Sequence, residues 1–293
     1  MLNAQMRCHR NWARDAAIVA CLIGVSGVAP CLAQSAPTSA APVFTPQEKE
    51  DFLLHARIVE TKRTLKGVTN AKLVSMSDGR VTHDAQVQNV DISLPIFEVS
   101  PKYTEINFKD SYRYNVAGYQ LALLLGLDNV PMSVNRTVEG KPAAVTWWLD
   151  DVMMEEGERQ KKKVAGPDPS RTAGYVHIMR VFDELIQNRD RNGGNILWTK
   201  DWTMWMVDHT RAFRLGKELL KPQLLERCER ALLEKMRGLT ASALADAAGA
   251  NLTKQEIAAL LARRDVIVKL FDDKIAKGSE AAVLYTLAIG DRK

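Results

Sequence analysis

NRDRNGGNILWTKDWTMWMVDHTRAFR, residues 188–214, is the stretch of sequence that decides the fold. Two apolar bursts within residues 196–207 flank a short polar turn, a pattern typical of a β-hairpin with a tight connection. Asp190 and Asn195 precede the first of these strands, and Asp208 ends the second. Folding the hairpin therefore brings three side chains that can bind a cation to the same rim.

These three side chains match the needs of phosphoryl transfer. A carboxylate has to orient the attacking hydroxyl, and an asparagine and a second carboxylate have to hold the magnesium ions that bridge the phosphates. Asn195 follows Asp190 by five positions, and Asp208 follows Asn195 by thirteen. An ordinary hairpin with polar turns is the alternative, because Asp-Arg-Asn-Gly-Gly-Asn is good turn chemistry in its own right. The second aspartate at this offset favours the phosphoryl-transfer interpretation.

Both gaps resemble those of the protein-kinase-like superfamily. The local sequence, NRDRNGGN followed by DHTRAF, is more similar to the atypical branch of this superfamily. That branch includes HipA-type kinases, type II phosphatidylinositol kinases and secretory-pathway kinases. The resemblance covers most of residues 55–290. It implies an α+β, two-lobed protein-kinase-like fold, with a small β-rich N-lobe and a larger, mainly helical C-lobe.

The resemblance also implies an activity and the residues that perform it. Asp190 is then the catalytic base, Asn195 and Asp208 bind Mg²⁺ together with ATP, and Arg191 pairs with the phosphates or with Asp208. The expected activity is ATP-dependent transfer of a γ-phosphoryl group to a hydroxyl of an unidentified protein, lipid or small-molecule acceptor.

The start of the small lobe is predicted from three strands, near residues 56–60, 71–76 and 80–90. In a kinase the loop between the first two strands covers the phosphates, but here it contains a single glycine and no GxGxxG motif. Thr69 and Lys72 are the candidate phosphate contacts in this region. A plain surface hairpin is the alternative.

The third strand departs from the kinase pattern. A kinase has a lysine there that reaches the phosphates and pairs with a helix glutamate. This chain has Gln86 or Gln88 at that place on the strand and Asn115 on the helix that follows. Either Lys109 or Lys72, together with Glu105, takes over this role, or nucleotide binding is impaired. The second possibility leads to an alternative function, an exported, non-catalytic, pseudokinase-like binding protein.

The boundaries of the lobes follow from the same resemblance. The N-lobe is expected at residues 51–146, the hinge at residues 147–152 and the C-lobe at residues 153–293. Trp148 in the hinge is a candidate for stacking on the adenine base, and a place in the core is the alternative. The charge-dense residues 153–166 favour a solvated surface loop, and a substrate-docking flap is the alternative.

Helical periodicity accounts for most of the remaining chain. The apolar spacing predicts a long helix over residues 170–187, which leads directly into the loop that begins at Asn188. Other helices are predicted over residues 110–125, 218–238, 240–248, 253–272 and 282–289.

The N-terminus has the pattern of an exported protein. Residues 1–33 combine an arginine-containing start, a short apolar run and small residues at the cleavage position, which is typical of a secretory signal. A retained anchor and a cytoplasmic enzyme with a signal-like N-terminus are the alternatives. Residues 34–50 are predicted as a flexible linker. We therefore expect a periplasmic or secreted protein without a membrane span after signal removal, and without an internal disulfide, because only Cys228 follows the signal.

Composition narrows the function classes further. The net charge of +5 comes without a Lys/Arg block interleaved with aromatic residues, which disfavours nucleic-acid binding. The sequence contains no HExxH, CxxC or GxSxG motif, and its five histidines lack ligand spacing, which disfavours a zinc site. The expected partner is the phosphate acceptor, and a monomer is expected.

Overall fold

The structure, a computed structural model, describes residues 44–62, 71–100 and 103–287. The predicted signal peptide, the predicted linker up to residue 43 and Thr69 lie outside these ranges. Within them the chain forms a small β-rich lobe followed by a larger, mainly helical lobe, as predicted.

The small lobe combines a five-stranded sheet with a separate hairpin and two helices, all within the described residues. Its elements in chain order are α1 (Pro46–His55), β1 (Arg57–Lys62), β2 (Lys72–Ser77), β3 (Thr82–Gln88), β4 (Asp91–Ser100), β5 (Tyr103–Ser111), α2 (Arg113–Leu124), β6 (Ser133–Val138) and β7 (Lys141–Trp147). The strand order of the sheet is β1-β2-β3-β7-β6, and every pair is antiparallel.

The larger lobe contains most of the helices in the described part of the chain. Its elements are β8 (Val152–Glu155), α3 (Glu156–Lys162), α4 (Pro169–Ile186), β9 (Ile196–Thr199), β10 (Met204–Met206), β11 (Cys228–Glu229), α5 (Arg230–Gly238), α6 (Ala241–Ala248), α7 (Lys254–Lys277), α8 (Glu280–Val283) and β12 (Leu284–Tyr285). The strands β10-β9-β8 form one sheet, and β11 pairs with β12. None of the helices in the described ranges is both long and apolar enough to cross a membrane.

Helices cover both faces of the five-stranded sheet. Side chains alternate along each strand, so that Val74 and Ala85 lie on one face, where they cluster with Phe52 of α1. The opposite face meets α2, where Val116 clusters with Ala144 of β7. The second face also carries Asp84 and Gln86 of β3, which alternate with Ala85 and Val87.

A hairpin that the sequence did not predict precedes α2. The predicted helix start at Asp110 is wrong, because Asp110 still pairs with Ile92 in the β4–β5 hairpin. Pro95 lies inside β4, and a proline within a run argues against a strand when only the sequence is considered. The predicted end of the helix is confirmed, since Gly126 follows α2 with a positive φ of 71°.

α4 is the central element of the larger lobe and confirms the predicted helix that leads to residue 188. The side chain of Asp168 accepts a hydrogen bond from the N–H of Ser170 and caps the helix. Its buried face includes Phe182 and Leu185, which belong to one core with α7. The predicted hairpin is also confirmed, as β9 and β10.

The predicted surface loop over residues 153–166 is wrong. The segment contains most of β8 and all of α3. Glu156 is buried, and its carboxylate accepts hydrogen bonds from Nε1 of Trp198 at 2.7 Å and from Nε of Arg159 at 2.6 Å. A dense run of charges therefore includes one carboxylate that the fold holds inside.

Two further boundaries differ from the predictions. Residues 46–50 of the predicted linker belong to α1, which begins at a capping box on Thr45. The helix predicted over residues 218–238 begins only at Arg230, because Pro222 interrupts it and the preceding residues form a 3₁₀ turn and β11.

Candidate functional site

α4 delivers the chain into the loop that carries Asp190. The helix ends at Ile186, and Gln187 takes a left-handed conformation, with φ of 49°, that turns the chain out of the helix. Oδ1 of Asn188 accepts a hydrogen bond from the N–H of Asp190 at 3.0 Å, and its Nδ2 donates to Asp183 at 3.0 Å. This turn leaves Asp190 half-buried at a defined position.

Arg191 is the centre of the loop. Its Nε and Nη2 donate to the carboxylate of Asp183 at 3.0–3.2 Å, and Nη2 also donates to Nε2 of His209 at 3.0 Å. Its Nη1 donates to the carbonyl oxygens of Asn195 at 2.7 Å and Val207 at 2.8 Å. These contacts use all three guanidinium nitrogens inside the protein. The structure therefore corrects the assignment of Arg191 as a catalytic residue that meets phosphate: it is a positioning residue.

Asn195 closes the loop against the hairpin. Its Nδ2 donates to the carbonyl oxygen of Asp190 at 2.9 Å, and its own carbonyl oxygen accepts from the N–H of Val207 at 3.1 Å. Because the amide nitrogen is used within the loop, the amide oxygen is the atom of this side chain that suits a cation. Asp208 follows Val207 directly, so the hairpin places Asn195 beside Asp208.

Asp208 lies in a strained turn immediately after β10. Its φ of 53° is in the left-handed region, and such strained residues cluster at functional sites. Its Oδ1 accepts a hydrogen bond from Oγ1 of Thr210 at 3.0 Å. Burial raises the pKa of Asp208 above its ordinary value of 3.8, and the nearby charge of Asp190 raises this pKa further, against the opposing effect of the Thr210 hydrogen bonds.

A third carboxylate, which sequence analysis missed, belongs to the same cluster. Asp110 at the end of β5 is buried, and its Oδ1 accepts no hydrogen bond from the described residues. Burial raises the pKa of Asp110, and the charges of Asp208 and Asp190 raise it further. No motif marks Asp110, and the segment around it was predicted as a helix start, so the sequence offered no signal for it.

The carboxylate cluster fits a hard divalent cation. A buried carboxylate oxygen without a partner is unfavourable, and a cation removes both this cost and the repulsion among the carboxylates. In the described ranges, no three acidic, histidine or cysteine side chains converge into a complete protein-ligated metal centre. Mg²⁺ generally takes one or two carboxylates from a protein and completes its shell with phosphate oxygens and water.

Both predicted substitutes for the missing strand lysine point elsewhere. Lys72 lies on the α1 face of the sheet, like Val74, and its Nζ pairs with Glu139 at 2.6 Å. Nζ of Lys109 pairs with the buried Glu256 of α7 at 2.7 Å. The assignment of these two lysines to a cofactor site is therefore corrected.

Glu105, the expected partner of the missing lysine, serves the turn after Asp208 instead. It is buried, and its carboxylate pairs with Arg211 at 2.6 Å and with Arg214. Ion pairs thus connect the small lobe to the turn after Asp208, and both arginines come from the turn side.

The face of the sheet that meets α2 carries Gln86 and a different charged pair. Gln86 is half-buried and pairs in register with Thr146 of β7. Lys62, at the end of β1, extends to Asp84 of β3 with an Nζ–Oδ2 distance of 2.9 Å. Oγ of Ser75 donates to Asp84 at 2.6 Å and fixes the carboxylate. This pair places a lysine on the same sheet face as Gln86.

A short connection joins the five-stranded sheet to the β10-β9-β8 sheet. β7 ends at Trp147 and β8 begins at Val152, so residues 148–151 link the two sheets. Trp147 is a core residue whose ring stacks on His83, with ring centroids 3.7 Å apart. Trp148 is 42% exposed and is therefore the indole that is accessible to a ligand.

Comparison with known proteins identifies the class of fold. No protein-family model and no curated protein matches the sequence. A Fam20 structure from hydra, solved with sugar, aligns with a TM-score of 0.62 at 13% identity, covering 83% of this chain and 93% of that chain. A Golgi casein kinase with Mn/ADP bound aligns with a TM-score of 0.57 at 14% identity, covering 80% of this chain and 77% of that one. The Helicobacter pylori kinase CtkA aligns with a TM-score of 0.45 at 10% identity, over 73% and 92% of the two chains.

The protein therefore has a two-lobed, kinase-like α+β fold. At 13% and 14% identity, the first two of these structures share this fold with the chain.

Proposed function

We propose that the protein is an ATP- and Mg²⁺-dependent phosphotransferase that transfers the γ-phosphoryl group to a hydroxyl. The observation that carries this proposal is the convergence of Asp190, Asn195 and Asp208 on one rim, with Asp110 beside them. Repelling carboxylates with raised pKa values are the arrangement in which a divalent cation stabilises the site most.

Each residue of the rim has a role in this proposal. Asp190 orients the attacking hydroxyl and accepts its proton, as the carboxylate of a kinase loop does. The amide oxygen of Asn195 and the carboxylate of Asp208 hold Mg²⁺, with Asp110 as a further carboxylate on the small-lobe side. Bound Mg²⁺ supplies positive charge to the phosphate oxygens.

The nucleotide is assigned to the cleft face of the small lobe and to the hinge. Trp148 is available to stack on the base, and Gln86 lies on the sheet face that meets α2. Lys62 is the lysine we assign to the phosphates in place of Lys72 and Lys109. The Golgi casein kinase with the same fold was solved with Mn/ADP, which supports the use of a nucleotide and a divalent cation here.

The acceptor and the location remain part of the proposal. The proposed acceptor is a hydroxyl of a protein, a lipid or a small molecule. The signal-like residues 1–33 support a periplasmic or secreted protein, which we propose acts as a monomer and binds no nucleic acid.

A titration that follows thermal unfolding tests the function directly. ATP and Mg²⁺ together should raise the melting temperature of the wild type, because ligand at a hundredfold excess over Kd stabilises a folded protein by about 2.7 kcal/mol. Either ligand alone should have little effect. Asp190→Ala should keep this stabilisation but lose γ-phosphoryl transfer. No shift of the wild type at millimolar nucleotide would support the non-catalytic binding protein, and transfer by Asp190→Ala at the wild-type rate would refute the role of Asp190.

A further inference from the structure

α2 contacts the backbone of the turn that follows Asp208. Oδ1 of Asn115 accepts a hydrogen bond from the main-chain N–H of His209 at 2.8 Å, and both residues are buried. Gly118, one turn further along α2, permits this close approach. A Cβ at Gly118 would lie 3.2 Å from Cγ of His209. The helix therefore fixes the residue directly after Asp208.

His209 passes this constraint on to the catalytic loop. Its Nε2 accepts a hydrogen bond from Arg191, whose other contacts hold the loop of Asp190. Because a guanidinium can only donate, Nε2 of His209 is the acceptor of this hydrogen bond, and the ring is neutral with its proton on Nδ1. A continuous set of contacts thus joins Asn115 on α2 to Asp183 on α4.

The end of β5 holds the same turn by independent contacts. The N–H of Ser111 donates to the carbonyl oxygen of Thr210 at 2.9 Å. Glu105 pairs with Arg211 and Arg214, and Nη1 of Arg214 donates to the carbonyl oxygen of the β5 residue Lys109 at 3.1 Å. Consecutive residues of the turn are therefore each held by the β5–α2 segment.

We propose that Asn115 is a positioning residue that sets the metal-binding turn through the N–H of His209. It thereby takes over the role of the lysine–glutamate pair of kinases, at whose expected positions this chain has amide side chains. The inference rests on the proposed function and deepens it. On this proposal the turn is in place before the nucleotide binds, because the contacts that hold it are all between protein groups and need no phosphate.

The amide is the group that suits this position. A carboxylate at residue 115 would accept the same hydrogen bond but would add a negative charge beside Asp110 and Asp208. An asparagine supplies the acceptor oxygen without further repulsion.

Two variants of α2 separate positioning from simple helix stability. Asn115→Leu removes the acceptor for His209. Gln120→Leu is the matched control, because Oε1 of Gln120 also accepts an amide hydrogen bond, from Asn251 at 3.2 Å, away from the turn. Hydrogen exchange of the segment 207–212, measured on the full chain without nucleotide, should be about tenfold faster in Asn115→Leu and unchanged in Gln120→Leu.

A second measurement tests whether the hydrogen bond between Asn115 and His209 affects metal binding. The Mg²⁺ concentration that half-saturates the stabilisation by ATP should rise about tenfold in Asn115→Leu and stay at the wild-type value in Gln120→Leu. Gly118→Ala offers a second route if Asn115→Leu does not fold. It raises the helix propensity but presses on His209, and it should speed exchange of the same segment.

The outcomes are distinct. Equal exchange of residues 207–212 in Asn115→Leu and the wild type overturns the positioning role, whatever happens with ATP. A wild type that ATP and Mg²⁺ do not stabilise refutes the proposed function, while the exchange data still decide whether Asn115 sets the turn.

Discussion

The rim around Asp190 and Asp208 and the α2-facing side of the five-stranded sheet are built in opposite ways. At the rim, Arg191 alone holds three separate parts of the chain, and each neighbour of Asp208 is fixed by a buried partner. On the sheet face, the charged group nearest to Gln86 in the strand register is a half-exposed pair of Lys62 and Asp84.

This difference shows where the fold places its constraint. Groups that orient a hydroxyl or a cation are effective only if they are held in place before the reaction, and the rim is held by buried contacts that do not depend on a ligand. Phosphates carry several charges and can be contacted by a long, partly exposed lysine from more than one strand. The loss of a lysine at position 86 is therefore compatible with an intact rim.

Removing Arg191 should have the largest effect and tests whether the rim is as tightly built as its contacts indicate. Arg191→Leu leaves the carboxylate of Asp183 buried without its cationic partner, with only the Asn188 amide still donating to it, and the side chains of Arg191 and Asp183 are both more than 85% buried. Breaking one partner of a buried pair costs about 3–5 kcal/mol. Chemical denaturation should show a loss of this size, together with the loss of stabilisation by ATP and Mg²⁺.

The matched comparison for Arg191 is an exposed pair of the small lobe. Lys72→Met breaks the pair with Glu139, whose side chains are 44% and 65% exposed, and should cost less than about 1 kcal/mol. A loss for Arg191→Leu as small as that of Lys72→Met would remove the distinction between the two regions.

The second prediction concerns pH, and here the substitution is expected to increase stability, whereas Arg191→Leu decreases it. The pKa of Asp208 is raised in the folded chain above its ordinary 3.8, so the unfolded chain releases this proton first as the pH rises. The free energy of unfolding therefore falls from about pH 4 upward until the pH passes the folded pKa, and stays lower above it. Asp208→Asn avoids this loss and should be more stable than the wild type at pH 7 by about 0.5–2 kcal/mol.

Two further measurements test whether this gain in stability comes from the carboxylate cluster: addition of Mg²⁺ with ATP, and a surface variant with the same change of charge. Saturating Mg²⁺ with ATP should stabilise the wild type beyond Asp208→Asn and so reverse their order, because the cation binds the ionised carboxylates. Asp246→Asn removes one charge at an exposed position of α6 and is the control for net charge. If Asp208→Asn and Asp246→Asn change stability with pH in the same way, the carboxylate cluster is not a site of repulsion.

The sequence sufficed where the chemistry depends on neighbours along the chain. Asp190, Asn195 and Asp208 were predicted together because one hairpin joins them, and the period of α4 was clear. Asp110 could not be predicted, because its role comes from a hairpin end that packs against the turn of Asp208 across almost a hundred residues. The same holds for Arg191, whose type suits phosphate as well as carbonyl groups.

In the small lobe, the sequence alone also did not determine which face of the sheet a lysine occupies. Lys72 was a reasonable phosphate contact by its place in the sequence, but a shift of one residue along a strand moves a side chain to the other face. The register of β2 places Lys72 with the residues that meet α1, whereas Lys62 pairs with Asp84 on the face that meets α2. Two lysines ten residues apart therefore have opposite expected roles.

The smallest predicted effect uses those two lysines as a matched pair. Lys62→Met and Lys72→Met both remove a half-exposed lysine from the same sheet, and each should change stability by less than about 1 kcal/mol. Lys62→Met should weaken ATP binding several-fold in the presence of Mg²⁺, and Lys72→Met should leave it unchanged. Equal affinities in an isothermal titration would show that Lys62 does not meet the phosphates, and a loss confined to Lys72→Met would mean that the nucleotide lies on the α1 side of the sheet.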